Sequence, residues 1–151
     1  MQKIPTGELN KMLENTSPNK LDEYFKKNNK YMAEDGKAYY YYMKDVLNEK
    51  NIRLKDVYIS AGVSESYGSK IISMEKHTKN RDLIIRFCIA GHFNWDETNR
   101  ALKLYGLNEL YAKDARDACI IVAINNRIFD ISQIDDILDE HGLKPLSQQD
   151  E

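Results

Sequence analysis

Apolar residues recur at three- and four-residue intervals along most of the chain, which predicts an all-α protein of seven or eight helices. Thr6 can cap a first short helix with Leu9, Met12 and Leu13 on one side, and residues 15–18 break it. Ser17 followed by Pro18 is a cap and first-turn signature for a second helix carrying Leu21, Tyr24, Phe25 and Asn28 at helical spacing. Residues 26–30 and 33–37 are polar enough to be a linker. A longer helix is expected over 38–51, where Tyr39, Tyr42, Met43, Val46 and Leu47 form one stripe. Residues 83–91 read as a largely apolar helix stopped by Gly91. Asn94 and Glu97 then have capping-box spacing, ahead of a helix with Trp95, Thr98, Leu102 and Tyr105 in register and Gly106 at its end.

The centre of the pattern is residues 54–72. Val57 and Ala61, four apart, share a face of one short helix, and Ile71 and Ile72 supply the inner side of the next. Gly62 between them can take the positive φ that ends a helix cheaply, and Ser64 can N-cap the second helix. Two short helices around a tight turn and a shared core are the grammar of a helix-turn-helix. On Ile52, Val57, Ala61, Gly62, Val63, Ser64 and Ile71, residues 39–106 resemble the lambda-repressor-like (Xre/Cro) family of bacterial DNA-binding proteins.

Three positions depart from that pattern. Tyr58 stands at the site where the family has a small residue, usually Ala, and Gly68 at the site of a branched hydrophobe. Together they read as one volume exchange, a large ring opposite a missing side chain. Leu54 stands where the family often carries Gln on a phosphate.

The resemblance implies a bacterial transcriptional regulator whose second motif helix, residues 64–73, enters the major groove of double-stranded DNA. The matching base-facing positions are Glu65, Ser66 and Lys70. Lys70 can donate to guanine O6 or N7, Glu65 can accept from cytosine N4, and Ser66 can do either. Tyr67 and Ser69 flank them as phosphate candidates, joined by Arg53, Lys55, Lys76, His77 and Lys79. The family's loop after the motif runs beside a phosphate strand, and here that loop, residues 74–81, concentrates Lys76, His77, Lys79 and Arg81. A reader of paired half-sites is expected to be a homodimer. The other reading is a helix-turn-helix reused as a protein adaptor without DNA affinity.

The chain is expected to divide into three segments: a helical arm and linker in residues 1–37, the motif domain in 38–106 and an αα-hairpin in 107–151. In the last, Ala115, Ala118, Cys119, Val122 and Ala123 make one face of a helix that Ile120, Ile121 and Ile124 make apolar on its other sides too. Asp130 caps a final helix with Ile131, Ile134, Ile137 and Leu138, stopped by Gly142 and Pro145, and the terminal LSQQDE is expected to fray. The hairpin is expected to pack over the motif domain and to offer surplus apolar surface to a second copy, and the apolar stripe of the N-terminal arm to dock on the main body or on another subunit.

A formal net charge of −2 argues against a nucleic-acid binder, but its distribution does not. Residues 39–105 carry 11 Lys and Arg against 8 Asp and Glu, whereas 106–151 carry 4 against 10. The acidic third, with Asp135, Asp136, Asp139 and Glu140, is the candidate face for a basic protein partner, although a solvated helix face explains it equally. Cys88 and Cys119 lie in apolar helical stretches, as buried reduced thiols do, and no run of eighteen apolar residues occurs. The expectation is a cytoplasmic protein with no membrane association.

Candidate chemistry is sparse. Cys88 and His92 have i, i+4 spacing, but no second pair with metal-ligand spacing accompanies them, so no metal and no cofactor is expected. His77, His92 and His141 have no evident nucleophile partner, and no enzyme is expected. Tyr40 and Tyr41 fall off the stripe of their helix, where packing or protein contact competes with stacking on bases.

Overall fold

A computed structural model describes residues 6–28 and 36–147 of the chain. Among these the regular structure is entirely helical, with nine α-helices and one 3-10 turn. None of the helices is long and apolar enough to cross a membrane. The chain divides into two compact units, Met1–Asp35 and Gly36–Glu151.

The first unit holds α1 (Thr6–Glu14), a 3-10 turn (Pro18–Lys20) and α2 (Leu21–Asn28). Pro18 opens the turn as expected, but the Ser17 hydroxyl donates to Asn19 Oδ1 at 2.6 Å and caps nothing. Tyr24 is buried, while Leu13, Leu21 and Phe25 are exposed. Helix α2 takes in Lys26 to Asn28, which polar composition alone assigns to a linker. The rest of that linker, through residue 35, lies outside the described residues, as do residues 148–151 of the terminal LSQQDE.

The second unit contains α3 (Ala38–Glu49), α4 (Leu54–Ala61), α5 (Glu65–Ile72), α6 (Arg81–Ala90), α7 (Trp95–Tyr105), α8 (Ala115–Asn125) and α9 (Ile131–Glu140). Helix α6 is its axis. All eight residues from Leu83 to Ala90 are buried, with α4, α7 and α9 packed around them. The apolar residues of α3 to α9 form one continuous cluster. Most of α8 is absorbed into it, and the surplus surface it leaves is chiefly Val122, 59% exposed, beside the half-buried Cys119.

Six helices of this unit end alike. A residue in the left-handed region is followed by an apolar residue whose N–H reaches a carbonyl five positions back. Ile52, Val63, Phe93, Leu107, Ile128 and Leu143 donate in this way to Leu47, Tyr58, Cys88, Leu102, Ala123 and Leu138 over 2.8–3.1 Å. This is the Schellman reversal, closed by a hydrophobic contact. Gly62, Gly106 and Gly142 supply the positive φ in three of them, and Asn51, His92 and Arg127 in the others. Gly91 is therefore not the stop of α6 in that sense: its φ is −86°, and the left-handed residue is His92. Gly91 is small for another reason, since a Cβ there would lie 2.8 Å from both Leu47 and Phe93.

The tail after α9 is a structural part. Leu146 is fully buried, and three charged side chains read the backbone around it. Arg86 donates to the Leu146 carbonyl at 2.8 Å, Arg116 donates to those of Lys144 and Pro145, and the Asp135 carboxylate accepts from the Leu146 N–H and the Ser147 hydroxyl. Arg116 also grips Asp82 at 2.8 and 2.9 Å. Leu146 and Ser147, the start of the stretch expected to fray, are thus tied down.

Tyr58 and Gly68 meet as the sequence predicts. Tyr58 is 5% exposed, and a Cβ on Gly68 would sit 2.5 Å from its Cδ1, inside any van der Waals contact. The ring occupies the space that a branched residue on α5 would fill. Tyr58→Ala is expected to cost about 3 kcal/mol in chemical denaturation through the cavity it leaves. Gly68→Ala, which would gain about 1 kcal/mol at an unobstructed helical site, is expected to destabilise here and to stabilise once Tyr58 is Ala. If the two substitutions prove additive, the volume exchange is refuted.

A second prediction concerns alkaline pH. Burial raises the phenol pKa of Tyr39, Tyr58 and Tyr105, and burial together with the Glu97 carboxylate pushes Tyr42 up to about 12. Each of these groups is protonated in the folded chain at a pH where the unfolded chain has begun to lose its proton, near 10. For Tyr42 the contribution to stability is therefore complete below about pH 10 and is lost as pH rises from there through about 12; for Tyr39, Tyr58 and Tyr105 it is lost in the same direction, as pH rises through their raised folded values. Absorbance of phenolate, followed alongside helical circular dichroism, should show these tyrosines ionising only as the helices melt.

Candidate nucleic-acid interface

Helix α5 has eight residues, too few to be stable alone, so its packed side decides that it forms. That side is Gly68, Ile71 and Ile72, all buried. Ser64 caps it by accepting from the Tyr67 N–H at 3.1 Å, and Gly62, at φ 79°, turns the chain from α4 into it. The opposite side presents Glu65, Ser66 and Lys70 to solvent, with Tyr67 and Ser69 half-buried at its borders. Ser69 turns its hydroxyl to the Ser66 carbonyl at 3.1 Å, which occupies its proton within the helix.

Beyond α5 the chain doubles back. Met74 adopts φ 66°, and the Lys76 N–H reaches the Lys70 carbonyl at 3.0 Å. The Lys76 ammonium then lies 5.1 Å from the centre of the Tyr67 ring. Tyr105 of α7 holds the next two residues. Its ring stacks on His77 at 4.6 Å, and its hydroxyl accepts from the Thr78 N–H at 2.9 Å. Thr78 Oγ1 accepts from the Asn80 N–H, and the Asn80 side chain caps α6 by accepting from Leu83 N–H. The loop that composition marks only as polar is fixed along its length.

The remaining site residues lie just ahead of α4, on α4 and in the loop after α5. Lys55 and Lys79 are exposed, and Arg53, just ahead of α4, pairs with Asp56 at 3.1 Å where both are open to water. Such a pair is worth little to stability but cancels charge locally. From Arg53 to Lys79 the chain carries five cations against three carboxylates, Asp56, Glu65 and Glu75. Arg81, which the sequence groups with the loop cations, is committed elsewhere. It belongs to α6 and grips Asp117 at 2.9 and 3.1 Å while donating to the carbonyls of Asn108 and Glu109.

Sequence reasoning missed Tyr105 as the clasp of the loop. Its i, i+3 register with Leu102 marks it as core, and nothing local announces a partner 27 residues upstream. Cys88 and His92 do not converge. The Cys88 thiol is wholly buried, with its pKa pushed up by burial, whereas His92 lies past the end of α6 with its ring stacked on Phe129 at 4.7 Å. In the acidic third, an open cleft of about 490 Å³ is lined by Ser60, Phe129, Asp130, Asp135 and Asp136 among others. Two of its carboxylates have internal work, because Asp130 caps α9 and Asp135 holds the tail.

Comparison with protein-family models, with curated proteins and with solved structures gives no match.

Proposed function

We propose that this chain is a transcriptional regulator that binds operator DNA, with α4 and α5 as a helix-turn-helix and α5 lying in the major groove. The observation that carries the reading is the division of α5. Its inner side is buried over Tyr58, and its outer side, Glu65, Ser66 and Lys70, is uncovered, with the Lys76 ammonium at the Tyr67 ring on its border. A helix needs its whole outer side free to enter a groove about 12 Å wide, and short polar groups there can meet base edges. Lys70 reads guanine O6 or N7, Glu65 accepts from cytosine N4 and Ser66 serves either role. Lys55, Lys76 and Lys79 meet phosphates, Arg53 joins them only by giving up its pairing with Asp56, and two copies place two α5 helices about 34 Å apart on paired half-sites.

A protein adaptor is the second reading, and one observation favours it. Ile59 on α4 is 68% exposed and is followed by Ser60, which lines the acidic cleft. An apolar side chain in that position suits a protein partner better than a phosphate.

Selection from a random pool of duplexes at low salt separates the two, since a DNA reader enriches a motif and an adaptor enriches none. On the enriched site, Lys70→Ala is expected to cost about 1 to 3 kcal/mol and to relax preference at one base pair. Lys79→Ala should weaken preferred and scrambled duplexes alike and lower the slope of log affinity against log salt by about 0.9. Glu65→Gln, which removes a carboxylate whose charge repels the phosphate backbone, should strengthen binding to the scrambled duplex. Variants that all bind both duplexes as the parent does would remove α5 from the groove. Sedimentation that finds one copy per duplex would remove the paired half-sites.

A further inference from the structure

We propose that Tyr67 is a positioning residue: its ring holds the Lys76 ammonium beside α5, and Lys76, not the Tyr67 hydroxyl, meets the DNA phosphate. This rests on the DNA-binding reading above and assigns a role within it.

Lysine in a loop is a poor fixed charge, because a flexible four-carbon stem disperses the ammonium over a wide volume. Two contacts restrict Lys76. Its backbone is pinned by the N–H donated to the Lys70 carbonyl at 3.0 Å, a position reached only because Met74 turns left-handed. Its ammonium lies 5.1 Å from the centre of the Tyr67 ring, within the range over which the negative face of an aromatic ring attracts a cation. Tyr67 and Lys70 are three apart on one helix, so they share a side of α5, and Lys76 is drawn to that same side.

The chemistry of the holder matters as much as its position. Arg53 is held by the Asp56 carboxylate, which cancels its charge. Tyr67 is neutral, so the ring restrains the Lys76 ammonium while leaving its full charge for a phosphate on the other side. The exposed Glu75 is the nearest acidic neighbour in sequence and faces the same solvent. Tyr105 supports the arrangement from behind by clasping His77 and Thr78, which stops the loop from peeling away from Tyr67.

The test uses the full chain, with Tyr67→Phe, Tyr67→Leu, Lys76→Met and the double variant Tyr67→Leu/Lys76→Met. Tyr67→Gln is added in case Leu at this half-exposed site disturbs folding. In the free protein, NMR should find the Lys76 side-chain protons shifted upfield by the ring, unchanged in Tyr67→Phe and returned to ordinary values in Tyr67→Leu. Binding is read on the enriched duplex across a range of salt. Tyr67→Phe should bind as the parent does. Tyr67→Leu and Tyr67→Gln should weaken binding by about two- to five-fold, the size of an exposed cation–π contact. Lys76→Met should lower the salt slope by about 0.9, and in its background Tyr67→Leu should have no further effect. Two results would overturn the proposal: Tyr67→Phe weakening binding as much as Tyr67→Leu, which makes the hydroxyl and not the ring the part of Tyr67 that matters, or Tyr67→Leu costing the same with and without Lys76. A parent protein that binds no duplex at low salt removes the DNA reading itself, and this role with it, even where the upfield shift is found.

Discussion

A helix buried on every side sets the terms for the rest of the molecule. From Leu83 to Ala90 every residue of α6 is buried, and one of the eight is Arg86, 3% exposed. Covering such a helix takes more than a leading helix and a motif. Helix α4 covers one flank and α7 another, and α9 with the tail closes the remainder. The buried guanidinium adds a stricter demand, because a charge taken out of water needs acceptors or it costs several kcal/mol. The Leu146 carbonyl, 60 residues away in sequence, is one of those acceptors. The segment after Tyr105 is thus bound to α6 by a requirement that α6 itself creates, and the apolar surfaces of both merge in one core.

That arrangement frees α5. A helix of eight residues gains little from its own hydrogen bonds, and Ile71, Ile72 and the fit of Gly68 under Tyr58 hold it in place. Tyr58 in turn packs edge-on against Phe87 of α6, with ring centres 6.5 Å apart. Stability therefore comes from the inner side alone, and the outer side can carry Glu65, Ser66 and Lys70 without penalty to the fold. The loop after α5 is stabilised in the same indirect way, by Tyr105, whose ring also meets Tyr39 of α3 edge-on at 4.8 Å. Surfaces with uncovered polar groups and rigid support behind them are the kind on which recognition is built.

What the sequence makes legible is local. The turn at Gly62, the Ser64 cap, the Asn94 and Glu97 capping box and the Asp130 cap depend on residues within three positions of one another, and each is found where spacing puts it. The Tyr58 and Gly68 exchange is also readable, because two departures from one pattern fall ten residues apart on facing helices. Helix ends at Asn51, His92 and Arg127 are harder, since a non-glycine residue in the left-handed region gives no compositional signal. They become readable only through the apolar residue that comes after each. Partners separated by 27 to 60 residues leave no periodic trace: Thr78 on Tyr105, Arg81 on Asp117, Arg116 on Asp82 and Arg86 on Leu146. That is why Arg81 reads as a loop cation in the sequence and stands as a structural clamp in the fold.

The same long-range pairs bear on what the net charge means. Asp117 is matched by Arg81 and Asp82 by Arg116, each at about 3 Å, and Asp114 and Asp130 spend their carboxylates on helix N-termini. A charge closely matched by its opposite acts at a distance as a dipole, and salt screens what is left over about 8 Å at physiological ionic strength. The two ion pairs leave the acidic excess after residue 105 as it was, since Asp117 takes a cation from outside that segment and Arg116 is given to a carboxylate outside it, so what weakens its field elsewhere is screening with distance. In the stretch that holds α4, α5 and the loop after them, five cations from Arg53 to Lys79 stand against Asp56, Glu65 and Glu75. Because Asp56 is spent on Arg53, four cations remain against two carboxylates, and one of those two is Glu65, which stands on the outer side of α5 itself. The stretch is positive by a narrow margin, so the field it presents rests on where each of the four lysines is held more than on how many there are.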